Sequence, residues 1–312
     1  MKVSVLMPAF NAAEYIREAV ESILAQDFRD FEFVVVDDGS LDGTAGIVES
    51  IRDPRIKLVR CETNGGIVAA LNEGIGACSG EYVARMDADD VARKGRLSRQ
   101  VEFMDRHPDC GCSGTWYRVM GKGETVKYPE RDEDIRVALF RSSAIAHPTA
   151  ILRREVFDAF KYEESYRHAE DYKLWIDIAS KWKLANLQEV LLDYRPHSAQ
   201  VSRLHGEAQR AIAGRIRLEQ LGRLGIHADA ALAEKHSQFL GGTRGFGYRE
   251  TIEWAVSLIE VNRRSGYLPE PEFSAFVVER VAAISGLERY QGLSEVAARR
   301  LKRALAKVLG RA

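Results

Sequence analysis

Apolar residues fall in short blocks over the first ninety positions, each closed by a polar break and followed by apolar side chains at helical spacing. Residues 2–7 form the first block and predict a buried strand, ended by Pro8-Ala9-Phe10-Asn11. Ala13, Ile16, Val20, Ile23 and Leu24 then predict a helix over 13–26. The block Phe31 to Val36 closes on Asp37-Asp38-Gly39-Ser40, with a helix over 44–51. A third block, 56–59, precedes Asn64-Gly65-Gly66 and a helix over 66–77, and a fourth, 81–85, runs into Asp87-Ala88-Asp89-Asp90. Strand, short loop and helix in repeated order predict an α/β domain with a mostly parallel sheet flanked by helices. Ligands of such sheets bind at the C-terminal strand ends. Asn11, Asp37, Asp38, Asn64, Asp87 and Asp89 all fall there.

The pattern changes after residue 92. A helix is expected over 93–106, strands over 113–119, 125–128, 143–152 and 188–194, and a helix over 168–181 with Leu174, Trp175 and Ile178 on one side. This half reads as a mixed sheet segment suited to a second substrate. From Gly206 the chain reads as helices only: 206–224, 228–238, 248–264, 270–285 and 292–309, with Gly241-Gly242-Thr243-Arg244-Gly245-Phe246-Gly247 as a break. The expected division is therefore a domain over 1–205, in halves 1–92 and 93–205, and a helical region over 206–312.

Composition narrows the function classes. The 312 residues carry a formal net charge of −1, so no overall field calls for nucleic acid. No run of apolar residues is long enough for a transmembrane helix, and the N-terminus reads as a strand rather than a secretion signal. A cytoplasmic placement is expected. Cys61, Cys78, Cys110 and Cys112 lack the spacing of a zinc site and are expected to be reduced thiols.

Three carboxylates within four residues at a strand end repel one another unless a cation or solvent relieves them. Such an oxygen-rich cluster suits a hard divalent ion that keeps positions open for phosphate, and it equally suits a polar loop with a helix cap. Asp37-Asp38-Gly39-Ser40 has the same double reading, as a ligand site or as a turn plus cap. The chain has no Gly-x-x-x-x-Gly-Lys-Ser/Thr, and no Gly-x-Gly-x-x-Gly follows the first strand. Nucleotide phosphates must then be neutralised elsewhere, and a metal held by Asp87 and Asp89 is the candidate.

Four segments in order resemble the family 2 glycosyltransferases of the GT-A fold: Val5-Leu6-Met7-Pro8-Ala9-Phe10-Asn11, Val34 to Thr44, Asn64-Gly65-Gly66-Ile67, and Ala84-Arg85-Met86-Asp87-Ala88-Asp89-Asp90. The resemblance covers residues 1 to about 205. It implies transfer of a sugar from a nucleotide-sugar donor with inversion at the anomeric carbon, residues 1–92 binding the nucleotide and 93–205 the acceptor. Pro8, Ala9, Phe10 and Asn11 correspond to the wall beside the nucleoside. Asp38, with Asp37 as the less favoured neighbour, corresponds to the carboxylate that reads the base and ribose. Asn64 corresponds to a nucleoside-contacting amide. Asp87-Ala88-Asp89 matches the family's Asp-x-Asp, with Asp89 on Mg²⁺ or Mn²⁺ and Asp87 toward the ribose or the metal. Glu170-Asp171 resembles the family's catalytic pair, with Asp171 as the base. Tyr194-Arg195-Pro196-His197-Ser198-Ala199-Gln200-Val201-Ser202 resembles the family segment after the catalytic helix, with His197 as a third metal ligand or a phosphate donor and Arg195 and Ser202 as phosphate donors. His147 is expected to border the acceptor.

The expected activity is an inverting, metal-dependent transfer from a UDP-sugar to a saccharide or lipid-linked saccharide. Alternatives are a GDP- or dTDP-sugar donor, or a nucleotide-sugar-binding scaffold of the same fold. The last predicted helix places Arg299, Arg300, Lys302, Arg303 and Lys307 around an apolar side, which suits peripheral contact with an anionic membrane or packing on its own domain. A homodimer is a further expectation.

Overall fold

The computed structural model describes residues 1–197, 205–243 and 246–284. The chain forms two compact units. The first comprises Met1–Ile135 and Ser143–Ile212; the second comprises Arg136–Ser142 and the chain from Ala213. The helix predicted over 292–309 and Ser202 lie outside the described residues.

The first unit is built on strands β1 (Val3–Ala9), β2 (Phe31–Asp37), β3 (Ile56–Arg60) and β4 (Tyr82–Arg85), alternating with helices α1 (Ile16–Leu24), α2 (Thr44–Ser50) and α3 (Ile67–Ala77). It continues through β5 (Val91–Ala92), α4 (Arg96–Arg106), β6 (Cys110–Val119), β7 (Thr125–Val126), α5 (Asp132–Leu139, of which Arg136–Leu139 belong to the second unit), β8 (Ile151–Arg153), α6 (Glu170–Ile178) and β9 (Lys183–Tyr194). The sheet order is β3-β2-β1-β4-β8-β6-β9-β5, with β7 beside β6. The first four strands pair in parallel; β8 joins β4 and β6 antiparallel, and β6 and β9 are parallel.

All seven residues of β1 are buried, as expected for a central strand covered on both faces. Ile16, Ala19, Val20 and Ile23 of α1 join this core. On α3, a Cβ at Gly74 would lie 2.2 Å from Leu6 Cδ1, so only glycine lets this helix approach the sheet so closely. Pro8 was expected to break β1, yet the strand runs to Ala9. The Ala9 carbonyl accepts from Asp38 on the β2 side, so the Pro8 nitrogen faces the β4 side. Pairing with β4 stops at Leu6–Arg85, and the missing N–H costs no ladder bond.

Three local expectations are corrected. Residues 143–152 form a 3₁₀ turn, His147–Thr149, before the short β8 instead of one strand. Pro148 cannot donate, and the Thr149 hydroxyl bonds the Ala146 carbonyl at 2.9 Å, so the local bonds compete with a ladder. Helix α5 was not anticipated; its acidic first turn suits the helix dipole, and Asp132 accepts the Leu184 N–H at 2.9 Å. Strand β5 has two residues, too few to leave a periodic signal. The four cysteines are free thiols.

The second unit contains the helices Ala230–Gly241, Tyr248–Ser265 and Glu272–Ile284 around Phe140, Leu221, Phe239, Leu258, Phe273 and Val277. None of the described helices is long and apolar enough to cross a membrane. His236 is buried in this core with neither ring nitrogen hydrogen-bonded, edge-on to Phe140 and Trp254. Burial, and then the charge of Arg217, pushes its imidazole from the usual 6.5 down to about 3. The folded unit therefore holds it neutral. Its contribution is intact above pH 6.5 and is lost as the pH falls toward 3. At 25 °C, wild-type protein should lose about 2 kcal/mol more than His236→Phe between pH 7.5 and pH 5. Urea denaturation at the two pH values measures this, and equal losses would exclude the imidazole as the cause.

Candidate active site

The C-terminal ends of β1 to β4 carry the polar loops. Asn11, at φ 47°, turns the chain after β1; its side-chain oxygen accepts the Leu41 N–H at 2.9 Å, and its own N–H donates to Ser40 Oγ at 2.9 Å. Asparagine tolerates this left-handed conformation better than most residues. Pro8 and Ala9 are buried, and Phe10 is 47% exposed, so Phe10 alone of the three offers a broad face to a ligand. Asp37 is buried and accepts the Ser40 N–H at 3.3 Å. Asp38 is also buried; its two carboxylate oxygens accept the Gly65 and Gly66 N–H groups, each at 2.8 Å. It thereby ties the loop after β2 to the loop before α3. Gly66 sits at φ 86°, and Arg167 reaches across the loop to donate to the Gly65 carbonyl at 3.0 Å. Asn64 is exposed beside this clamp.

Beyond β4, single ligand oxygens of Asp87, Asp89 and Asp90 lie within 4.8 Å of one another. Asp87 meets the Arg85 guanidinium at 2.5 Å. Asp89 Oδ2 lies 2.7 Å from His197 Nε2. Asp90 is fully buried; it accepts the Arg195 backbone N–H at 2.9 Å through Oδ1, and its Oδ2 has no partner. Burial and the neighbouring carboxylates push Asp90 well above the usual range, and burial followed by the Asp87 charge raises Asp89. A divalent ion relieves this kind of strain. The donor set fits one: carboxylate oxygens and an imidazole nitrogen suit Mg²⁺ or Mn²⁺, and the orphaned oxygen marks unmet demand for positive charge. Ala88, between the ligands, is buried.

Arg195 braces this cluster. Its Nε donates to the Asp89 carbonyl at 2.9 Å, its Nη2 reaches Glu18 at 2.5 Å, and its guanidinium lies over the Tyr15 ring. The same ring lies 5.0 Å from that of His197.

The second acidic group opens α6. Glu170 is buried with Oε2 unpartnered, and burial with the adjacent Asp171 charge pushes it up to about 7. Asp171 is half-buried, with the Ser143 hydroxyl 3.4 Å from Oδ2. Burial raises it as well, opposed by the Tyr172 N–H and Arg85. A partly open carboxylate of raised basicity can accept a proton from a hydroxyl near neutral pH. His147 bonds the Tyr162 hydroxyl at 2.8 Å, and burial followed by the Arg85 charge drives it well below the usual imidazole value. It is a neutral, tethered ring.

Residues 4–160 match the family described as Glycosyl transferase family 2. The chain belongs to this family. An uncharacterized glycosyltransferase of Haemophilus influenzae is 34% identical over 238 residues, covering 70% of this chain and 73% of that protein. Among solved structures, S. aureus TarS 1–349 in complex with UDP is 20% identical with a TM-score of 0.59, covering 94% of this chain and 93% of that one. Glucosyl-3-phosphoglycerate synthase from Mycobacterium tuberculosis, solved with Mn²⁺, UDP-glucose and phosphoglyceric acid, is 19% identical with a TM-score of 0.53, covering 74% and 82%. The fold of the glycosyltransferase is GT-A.

Two groups in this glycosyltransferase escaped sequence reasoning. Arg85 stands inside the Ala84-Arg85-Met86 run and reads there as part of a motif; a charged residue in an otherwise apolar strand was the available signal. Tyr117, Tyr128 and Tyr194 form a tilted cluster, with ring centroids 6.3 Å and 5.1 Å from Tyr117. They come from β6, the segment after β7 and β9, so strand pairing alone brings them together. The Asp38 clamp supplies a test of the loop geometry. Asp38→Ala leaves two backbone donors unpaired and should cost about 1–3 kcal/mol in urea denaturation. A loss below a few tenths would mean that water replaces the carboxylate without penalty.

Proposed function

We propose that this glycosyltransferase is inverting and metal-dependent, moving a sugar from a nucleotide-sugar, with a UDP-sugar favoured, to a hydroxyl of a saccharide or lipid-linked saccharide. One observation carries the reading: a carboxylate and imidazole cluster at the end of β4 and a separate, partly open Asp171 at the start of α6 stand in one unit. UDP and Mn²⁺ in the structural neighbours support the donor and ion classes. The three tyrosines support a saccharide acceptor, because aromatic rings offer sugars apolar faces with hydroxyls at the rim.

In this reading Phe10 and the loops held by Asn11 and Asp38 bind the nucleoside. Asp87, Asp89 and His197 would hold Mg²⁺ or Mn²⁺, with Asp90 and Arg195 supporting them, and the bound ion would supply charge that stabilises the departing diphosphate. Asp171 takes the acceptor proton as the acceptor oxygen bonds the anomeric carbon and the carbon–oxygen bond to the nucleotide diphosphate breaks. Glu170 shares the basic charge of the pair. In-line attack from the opposite face inverts the anomeric centre without a covalent intermediate.

Asp171→Asn should remain folded and transfer sugar about 10²–10⁴-fold more slowly. Wild-type kcat/KM should rise with pH through neutrality, because the raised Glu170–Asp171 pair must lose its proton to act. Near wild-type transfer by Asp171→Asn would move the base elsewhere. UDP should raise the melting temperature of wild-type protein more with Mn²⁺ than without it, and Asp89→Ala should abolish that difference. Persistence of the Mn²⁺ effect in Asp89→Ala would remove Asp89 from the metal site.

A further inference from the structure

Arg85 ends β4 two residues before Asp87, and its side chain is only 5% exposed. One terminal nitrogen meets Asp87, while Nε and Nη1 are buried with no hydrogen-bond partner. A guanidinium keeps its charge in proteins and presents five donors in a rigid fork. Burying it with donors unused is costly unless surrounding groups compensate. Glu170, which has its own buried and unpartnered oxygen, attracts Arg85 electrostatically, and Arg85 in turn favours the anionic forms of both Glu170 and Asp171.

Other groups around it do not replace this role. His147 is held neutral, and the buried Tyr162 hydroxyl is pushed well above its usual value by burial. The Ser143 hydroxyl lies 3.4 Å from Asp171, burial with the Asp171 charge raises Tyr128, and the Arg85 charge favours the anionic form of Asp90. Another buried arginine, Arg96, donates to the Arg85 backbone carbonyl at 2.6 Å, and burial lowers it to about 10. Arg85 is thus a buried cation whose charge acts on both acidic groups.

We propose that Arg85 is a positioning residue for transfer: one buried guanidinium, paired with Asp87 and left with two unpartnered buried donors, serves Asp87 at the donor end and the Glu170–Asp171 pair at the acceptor end. Leaving-group stabilisation and acceptor activation then depend on the same fixed charge. The proposal rests on Asp171 being the base.

The test uses full-length Arg85→Gln, Arg85→Met and Arg85→Lys, with Asp171→Asn alongside. Two readouts are taken: the pH dependence of kcat/KM, and the titration of the Glu170 carboxyl by ¹³C NMR in protein free of metal and substrate. The neutral variants should move the acid limb and the Glu170 midpoint up by about one pH unit or more. Arg85→Lys should restore most of both. Folded neutral variants that titrate as wild type would overturn the proposal, leaving Arg85 a packing residue. Should neither neutral variant fold, Arg85→Lys decides. Arg85→Lys keeps the charge and loses the fork, so a Glu170 midpoint held near wild type with kcat at least about tenfold lower at an unchanged melting temperature supports one guanidinium serving both ends, whereas an unchanged kcat overturns it. The controls separate the two layers. An active Asp171→Asn removes the base assignment whatever Arg85 does, and an inactive Asp171→Asn with unmoved Arg85 titrations removes this inference alone.

Discussion

Repulsion among carboxylates gathered at the end of one short strand is the constraint on which the site depends. Asp87, Asp89 and Asp90 cannot all sit close, partly or wholly buried and charged, without cations nearby. The chain supplies Arg85 to Asp87, His197 to Asp89 and the Arg195 backbone to Asp90. These still leave Asp89 and Asp90 raised and one Asp90 oxygen unpaired. The residual demand for positive charge is what would make the cluster a receptor for a divalent ion rather than a closed network of ion pairs.

The sheet turns that demand into a located site. Parallel strands deliver their C-terminal ends to one edge, so the loops after β1, β2 and β4 and the loop before α3 face the same region. Their shapes are set by short side-chain bonds: Asn11 to the loop at Leu41, and Asp38 to Gly65 and Gly66. β9 then returns parallel to β6 and carries Arg195 and His197 back to the acidic turn from about a hundred residues away. Such placement costs less mobility than a free loop would, because it is anchored by a twelve-residue strand.

Much of this arrangement was legible in the residues. The first four strands are dense in Val, Ile and Phe and end in loops rich in Asp, Asn and Gly, so periodicity and turn chemistry agree. Glu170 and Asp171 were legible because a helix start favours acids, and the resemblance gave them a role. Asp38 was expected to face the nucleoside, and its bidentate hold on the Gly65 and Gly66 amides is a tertiary fact with no signature in a turn motif. Arg195 likewise read as a phosphate donor, whereas its bonds to Asp89 and Glu18 depend on β9 reaching the first helix. The charge of Arg85 was visible, whereas its burial comes from the pairing of β4 with β1 and β8. Local pattern thus marked the candidate groups, and nonlocal pairing decided which of them stand together.

Anomalous scattering from crystals grown with UDP and Mn²⁺ decides whether the acidic turn after β4 receives the ion. One strong manganese peak is expected within about 2.0–2.3 Å of carboxylate oxygens of Asp89 or Asp87, with the UDP diphosphate on its open side. UDP bound at the strand ends with no manganese at this cluster, or manganese bound away from it, would show that these carboxylates are not the metal site.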